Sequence, residues 1–121
     1  IKFKKKFVLS NPNSIRDHLY VEDFCRVLFY LVKNYSKFRN EIFNVSSSNY
    51  LKNKQIITLL IKLIDKNHKI TVLQKNNIQK DILTNSGLLL NKKLKNFKYT
   101  KFEKALQKTL FDEGLIDAVK L

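Results

Sequence analysis

Apolar residues in the first third of the chain change from an extended to a helical spacing within a few positions. Two β-prone runs, Phe7–Ser10 and Ile15–Val21, are separated by Asn11–Ser14, where Pro and Asn favour a turn. From Glu22 to Tyr35 the apolar residues recur every three or four positions, which is typical of an amphipathic helix. The pattern therefore predicts a strand that passes directly into a helix. The predicted buried face of that helix is Phe24, Val27, Leu28, Leu31 and Val32.

Short β-prone runs and helical runs continue to alternate along the chain, which predicts an α/β fold. The strands are too few to protect the edges of a sheet, so we expect neighbouring strands from a longer protein. The predicted elements are the strand Glu41–Val45, the helix Lys54–Lys66 with Asn53 as its N-cap, the strand Lys69–Leu73 and the helix Ser86–Leu94.

The last helix carries signals at both of its ends. Thr100 and Glu103 have the Thr-x-x-Glu spacing of a capping box, in which the threonine caps the first turn. Gly114 predicts the helix end, because glycine adopts the left-handed conformation at a helix C-terminus without strain. The face predicted to pack inward is Phe102, Ala105, Leu106, Thr109 and Leu110.

The net charge of +14 comes from 24 Lys and Arg residues against 10 Asp and Glu residues. A strongly basic chain is one hypothesis for nucleic-acid binding. However, only three of the basic residues are Arg, and the Lys residues are spread from end to end. Arg makes the bidentate contacts to phosphates and bases, so this distribution favours solvated Lys surfaces. We do not expect nucleic acid as a partner, and a small basic nucleic-acid-binding module stays as the alternative.

Cysteine usage and hydropathy indicate a chain in a reducing, aqueous compartment. The single Cys25 cannot form an internal disulfide, and its apolar neighbours predict a small buried side chain. No run reaches the length of a membrane span, and Ile1–Lys6 is too short and too charged for a leader. We expect a cytoplasmic protein without membrane contact. Because the chain begins at Ile1 and contains no Met, we also expect a fragment of a longer protein.

Most assembled catalytic motifs are absent from the sequence. The only glycines are Gly87 and Gly114, so the chain has no glycine-rich phosphate loop. His18 and His68 stand apart, so no Cys/His cluster predicts a metal site. The strand-to-helix corner at Ser14–Val27 is either a ligand-binding corner or a plain structural one. The chain is therefore a binding part or a part of a larger enzyme.

Several motifs in order resemble one enzyme family. Arg16–Phe24 resembles the Arg-Asp-[aromatic]-[aliphatic]-x-Val-[Asp/Glu]-Asp-[aliphatic] motif of the NAD-dependent epimerase/dehydratase family. This family is the extended branch of the short-chain dehydrogenases/reductases and acts on nucleotide sugars. The resemblance covers roughly residues 8–112. Its further motifs are the strand Glu41–Ser46, the loop Asp81, the helix start Asn85–Ser86 and the tail Phe97–Leu106.

The resemblance implies the C-terminal portion of a Rossmann-type enzyme, whose N-terminal Rossmann part would lie outside this chain. Residues 1–52 would form a strand–helix–strand unit that returns to the Rossmann sheet, and residues 53–121 would form the substrate-binding subdomain. The N-terminal part would bind NAD or NADP and carry the Gly-rich loop and the Tyr-x-x-x-Lys set. No catalytic, cofactor-binding or metal-binding residue is then expected within the chain. The implied partners are a nucleotide-sugar substrate and, for the full-length protein, a second copy in a homodimer.

Two substrate-binding residues follow from the same resemblance. In the family, the Arg of the Arg-Asp motif binds the diphosphate or nucleotide side of the sugar nucleotide. Arg16 matches this Arg, and a guanidinium forks onto phosphate oxygens. Asp81 matches the Asp of the family's Arg-x-x-Asp loop motif, where it would either face the substrate or order the loop. Ile78 replaces the Arg of that motif, and Lys75 or Lys80 would be poor substitutes. His18 replaces an aromatic residue and is expected to pack rather than to catalyse.

The function expected from the resemblance is the substrate-side part of an NAD(P)-dependent nucleotide-sugar epimerase, dehydratase or reductase. The isolated fragment is expected to be inactive and marginally folded. The alternatives are the basic nucleic-acid-binding module and a free-standing scaffold domain.

Overall fold

Strands and helices both occur along the part of the chain that the computed structural model describes, which is residues 6–64, 71–75 and 82–117. The α/β class expected from the sequence is therefore confirmed at the coarse level of a small mixed α/β domain. The elements are β1 (Lys6–Ser10), β2 (Ile15–Asp17), α1 (Val21–Lys33), α2 (Tyr35–Phe38), β3 (Tyr50–Lys52), α3 (Asn53–Ile64), β4 (Thr71–Lys75), β5 (Ile82–Leu83), α4 (Leu88–Lys93) and α5 (Phe102–Asp112).

The described strands form two small sheets. In the first, β1 and β4 pair in parallel, with Val8 opposite Leu73. In the second, β2 lies between β3, which runs antiparallel to it, and β5, which runs parallel to it. The central strand β2 carries the residues of the corner singled out in the sequence.

The turn that precedes β2 forms where Pro and Asn predicted it. The Ser14 N–H donates to the Asn11 carbonyl at 3.1 Å, and Asn11 has a positive φ of 51°. Asn tolerates this left-handed conformation better than most residues. The Asn53 side chain, from the start of α3, also donates to the Asn11 carbonyl at 3.1 Å. Asn53 is thus the first helical residue rather than the predicted N-cap. The Lys52 N–H is satisfied instead by the Gln55 side chain at 2.8 Å.

Helix α1 ends at Lys33, where the Asn34 N–H and the Asn34 side chain both donate to the Tyr30 carbonyl. A short second helix, α2, follows directly after Asn34. Val27 is fully buried in a core cluster with Phe38, Leu90 and Leu94. Half-buried side chains surround that cluster, among them Tyr30, Leu31, Phe43, Val45, Phe97 and Tyr99.

The opposite side of α1 is apolar and exposed. We call this surface the open face of α1, and it comprises Val21, Cys25, Leu28, Phe29 and Val32. The prediction that Phe24, Leu28 and Val32 are buried is wrong, as is the prediction of a buried Cys25. Helix α1 carries apolar residues around most of its circumference, so the local pattern identifies the helix but not the side that faces the core.

The predicted strand at Glu41–Val45 is also wrong. Residues 41–49 have no regular structure, and the strand that pairs with β2 is β3 at Tyr50–Lys52. Phe43 and Val45 still pack against the core cluster, which accounts for their apolar spacing. The strand signal therefore reflects side-chain burial in an extended segment rather than a β-ladder among the described residues.

The remaining helices follow the sequence with shifted ends. Helix α3 begins at Asn53, and its predicted end at Lys66 lies outside the described residues. Helix α4 covers Leu88–Lys93 of the predicted Ser86–Leu94. The predicted strand Lys69–Leu73 corresponds to β4, of which Thr71–Lys75 is described.

The C-terminal end of α5 is the glycine cap expected from the sequence. Gly114 has a φ of +65°, and its N–H donates to the Phe111 carbonyl at 2.9 Å. The Leu115 N–H donates to the Leu110 carbonyl at 2.8 Å. This pair of bonds is the Schellman motif, which satisfies carbonyls that the helix leaves unpaired.

Among the described helices, none combines the length and the apolar character needed to cross a bilayer.

Candidate functional site

Arg16 lies on the central strand of the three-stranded sheet. Its backbone neighbours across the two ladders are Leu51 of β3 and Leu83 of β5. The side chain is half-buried, and its Nη1 donates to the carbonyl of Ile15 at 2.9 Å. Backbone pairing on both sides therefore fixes the position of the Arg16 Cα.

Asp81, the other residue expected to contact substrate, lies outside the described residues, immediately before β5 in the sequence. Ile78 and Lys80 also lie outside the described residues, and so does the side chain of Lys75. The structure therefore places Arg16, while the role expected for Asp81 stays a prediction.

The end of β2 is fastened to the loop before β3 by a serine. The Ser47 Oγ lies 3.0 Å from Asp17 Oδ1 and 2.9 Å from the His18 carbonyl, and can donate to either acceptor. It accepts from the Asn49 N–H at 3.2 Å. The His18 N–H in turn donates to the Asn49 carbonyl at 3.2 Å. These bonds hold the chain in place where it leaves β2 and approaches α1.

The loop itself rests on α4 through a close backbone approach. Ser46 is fully buried, and a Cβ on Gly87 would lie 3.0 Å from both the Cβ and the carbonyl oxygen of Ser46. Only glycine therefore fits at position 87 without displacing the loop. The Asn91 side chain adds a longer bond, at 3.4 Å, to the Ser46 carbonyl.

A cavity of about 410 Å³ lies between the corner and α5. Asp17, His18 and Asn49 line one side of it, and Phe102, Ala105 and Leu106 line the other. Arg16 is not among its described lining residues, because successive residues of a strand point to opposite faces of the sheet. The cavity and the Arg16 guanidinium are thus separate features of the corner.

His18 packs rather than presenting a reactive nitrogen. Its ring meets the ring of Phe102 edge to face, with 5.4 Å between centroids. Its Nε2 is buried and has no hydrogen-bond partner among the described residues. Burial lowers the pKa of His18 below 6.5; the Asp17 carboxylate opposes this change and the Arg16 guanidinium adds to it. This placement agrees with the packing role expected for the residue.

Asp23 is a buried carboxylate that joins α1 to the start of α5. It accepts hydrogen bonds from the Thr100 N–H at 2.6 Å and from the Thr100 hydroxyl at 2.9 Å. Arg26 pairs with it from the next turn of α1 and also donates to the Lys98 carbonyl at 3.0 Å. Burial acts to raise the pKa of Asp23, but the hydrogen bonds from Arg26 and Thr100 outweigh it, so the pKa lies below 3.8.

This arrangement overturns the predicted capping box at Thr100. The N-cap of α5 is Lys101, without a side-chain cap, because the Thr100 hydroxyl is bonded to Asp23. A distant buried carboxylate therefore takes the role that local spacing assigned to Glu103. No local sequence signal distinguishes this contact from a true capping box.

Glu22, beside Asp23, makes a surface ion pair instead. Its carboxylate lies 2.8 Å from the ammonium of Lys108 on α5, and that ammonium also lies over the ring of Tyr20. The hydrogen bond from Lys108 lowers the pKa of Glu22, and the same bond raises the pKa of Lys108. Glu22 and Asp23 thus tie α1 to α5 and to the segment before it, beyond their favourable position at a helix start.

Within the described ranges, no group of His, Cys, Asp and Glu side chains could hold a metal ion. Ser47 is the middle of three successive serines, and the sequence carries no local signal of its contact with Asp17. Comparison of the chain with models of known protein families and with curated proteins finds no match in either set.

Proposed function

We propose that this chain is the C-terminal, substrate-side part of an NAD(P)-dependent nucleotide-sugar epimerase, dehydratase or reductase. The order of motifs from Arg16 to Leu106 is the first support for this proposal. The observation that carries it is the position of Arg16 on the central strand β2, five residues before the start of α1. A strand that passes directly into a helix is a common place for α/β enzymes to hold a phosphate-bearing ligand.

Arg16 is the residue assigned to substrate binding. Its guanidinium presents planar, fixed donors that match two oxygens of a diphosphate, and it stays charged at every physiological pH. The dinucleotide, when bound, supplies hydride transfer at a sugar carbon. The role of this chain is then to hold the substrate's nucleotide side, while the base and the cofactor loop belong to the Rossmann part.

The first prediction tests the phosphate contact in the intact gene product that contains these residues. UDP, GDP, CDP and dTDP are titrated by calorimetry, and the one that binds best is kept as the probe. Arg16→Ala should weaken its binding about 10- to 100-fold, since hydrogen bonds to charged groups contribute about 1.5–3 kcal/mol. The affinity of Arg16→Lys for the probe should lie between that of the unaltered protein and that of Arg16→Ala, because an ammonium keeps the charge but not the bidentate geometry.

Arg39→Ala is the matched control, because it removes the same charge from an exposed residue that follows α2. It should leave nucleotide binding unchanged at moderate ionic strength. Equal losses in the two variants would mean that only net charge matters, and no loss in Arg16→Ala would refute the phosphate contact.

The charge of +14 favours one alternative, a nucleic-acid-binding module. That function requires affinity for duplex or single-stranded DNA that falls steeply as salt is raised, because phosphate contacts release counterions. Fluorescence anisotropy across a salt series distinguishes the two proposals. Steep salt dependence without nucleoside diphosphate binding would favour the module over the enzyme part.

A further inference from the structure

The hydroxyl of Ser47 lies beside the end of β2. That strand ends at Asp17, one residue after Arg16. It is within hydrogen-bonding distance of the Asp17 carboxylate and the His18 carbonyl, and it accepts from the Asn49 N–H. A hydroxyl carries a single hydrogen, so it donates to one acceptor at a time, and the charged carboxylate is the stronger of the two. Ser47 therefore joins the end of the Arg16 strand to the loop that leads into β3.

The loop that carries Ser47 is itself anchored. Ser46 is fully buried against Gly87 at the start of α4, and the loop continues into β3, which pairs with β2. The ladder opposite Arg16 and Asp17 is short, because β3 contributes only Leu51 and Tyr50 there. A three-residue strand frays easily at its ends, so a side-chain bond at its last residue adds order where the ladder stops.

We propose that Ser47 is a positioning residue for Arg16. By holding Asp17 or the His18 carbonyl, it keeps the end of β2 in register and so holds the Arg16 guanidinium where a diphosphate can meet two of its donor nitrogens. The inference rests on the proposed function, because it assigns Ser47 a role only if Arg16 binds phosphate. Ser47 itself does not touch the ligand.

The test compares Ser47→Thr with Ser47→Val in the intact gene product. The two side chains have nearly the same shape, and only threonine keeps the hydroxyl. The probe is the nucleoside diphosphate selected for Arg16, and calorimetry gives its dissociation constant. Ser47→Val should weaken binding about 5- to 10-fold, while Ser47→Thr should stay within about 2-fold of the unaltered protein. Ser48→Ala, at the exposed neighbouring position, should have no effect.

A double-mutant cycle separates positioning from general structural damage. In the Arg16→Ala background, Ser47→Val should cause no further loss, since the residue it positions is gone. Binding of the corresponding nucleoside, which lacks phosphates, should be equal in the Ser47→Thr and Ser47→Val proteins. Additive losses in the cycle, or equal affinities of the Thr and Val variants for the diphosphate, would overturn the inference.

Failure of the inference is distinguishable from failure of the proposed function. If Arg16→Ala weakens diphosphate binding and Ser47→Val does not, the positioning role alone is refuted. If Arg16→Ala leaves diphosphate binding unchanged, the phosphate contact and the positioning role are both refuted.

Discussion

At the scale of single residues, Asp23 is the charged side chain most fully enclosed by its partners. Its exposure is 1%, and its bonds to Thr100 span 77 positions of the sequence. A buried carboxylate is tolerated only when its oxygens are satisfied, and here a backbone N–H, a hydroxyl and a guanidinium satisfy them. This one side chain therefore decides where the segment before α5 lies against α1.

Replacing Asp23 should be costly for that reason. Asp23→Ala leaves the Thr100 N–H without its acceptor and removes the charged partner of Arg26, so we expect a loss of about 2–3 kcal/mol in the free energy of unfolding. Urea unfolding of the intact gene product gives the value. Asp112→Ala, at the exposed end of α5, is the control and should change it by less than about 0.5 kcal/mol. Equal effects would show that the Asp23 contacts contribute nothing specific.

His18 should make stability depend on pH. Its folded pKa lies below 6.5, so the folded chain holds the ring neutral while the unfolded chain takes up a proton. The resulting stabilisation is complete above pH 6.5 and is lost as the pH falls through the lower folded pKa. His18→Phe keeps an aromatic ring against Phe102 and removes the titration, so the drop just below pH 6.5 should flatten. Melting temperatures from pH 8 to pH 5 test this, and an unchanged slope would contradict it.

At the scale of elements, α1 shows two apolar sides with different surroundings. Val27 on one side is fully buried in the core cluster, whereas Val32 on the other is 75% exposed. The side that contains Val27 packs α1 against the core cluster. The length and the position of the helix in the sequence follow from the apolar spacing. The hydrophobic effect stabilises only the side that is removed from water.

The two valines provide a matched pair on one helix. Val27→Ala should lower the free energy of unfolding by about 2 kcal/mol, because two methyl groups are lost and a cavity is left in the core. Val32→Ala should change it by less than about 0.5 kcal/mol, and helix propensity favours alanine slightly. Urea unfolding of both variants measures the difference. A large effect at Val32 would mean that the open face of α1 is covered in the intact gene product.

At the scale of the whole molecule, the described chain has little sheet for an α/β protein. A two-stranded parallel pair and a three-stranded mixed sheet leave four strand edges unpaired among the described residues. Parallel pairs in particular are normally buried within larger sheets. The proposed function is consistent with this, since it assigns the main sheet and the catalytic groups to a Rossmann part.

The same proposal predicts how activity divides between the parts. Residues 1–121 alone should not turn over a nucleotide sugar, because they hold no glycine-rich cofactor loop. The Tyr-x-x-x-Lys spacing from Tyr50 to Lys54 runs from β3 into α3 rather than along one helix. The intact gene product should turn over at least one member of a panel of UDP-, GDP-, CDP- and dTDP-sugars in the presence of NAD or NADP. Product formation is followed by chromatography and by absorbance at the nicotinamide band. Turnover by the isolated residues would refute the assignment.

What the sequence determined by itself is local. Four predicted features depend only on residues within one or two helical turns of each other. They are the turn at Asn11–Ser14, the central residues of helix α1, the start of α3 to within one residue and the glycine cap at Gly114. Backbone conformation, capping and apolar periodicity act over that range, so spacing alone predicted them. The strand-to-helix corner around Arg16 belongs to the same class.

Only the tertiary structure decided the rest, because those features depend on partners far away in the chain. The apolar spacing of Glu41–Val45 predicted a strand, but the strand that pairs antiparallel with β2 is Tyr50–Lys52. The spacing at Thr100 predicted a capping box, but the Thr100 hydroxyl donates to the buried carboxylate of Asp23, 77 residues earlier in the sequence. The exposed side of α1 has the same local pattern as the buried one. A residue's environment depends on which distant group offers it the stronger hydrogen bond or the larger buried apolar area. Spacing along the chain does not carry that information.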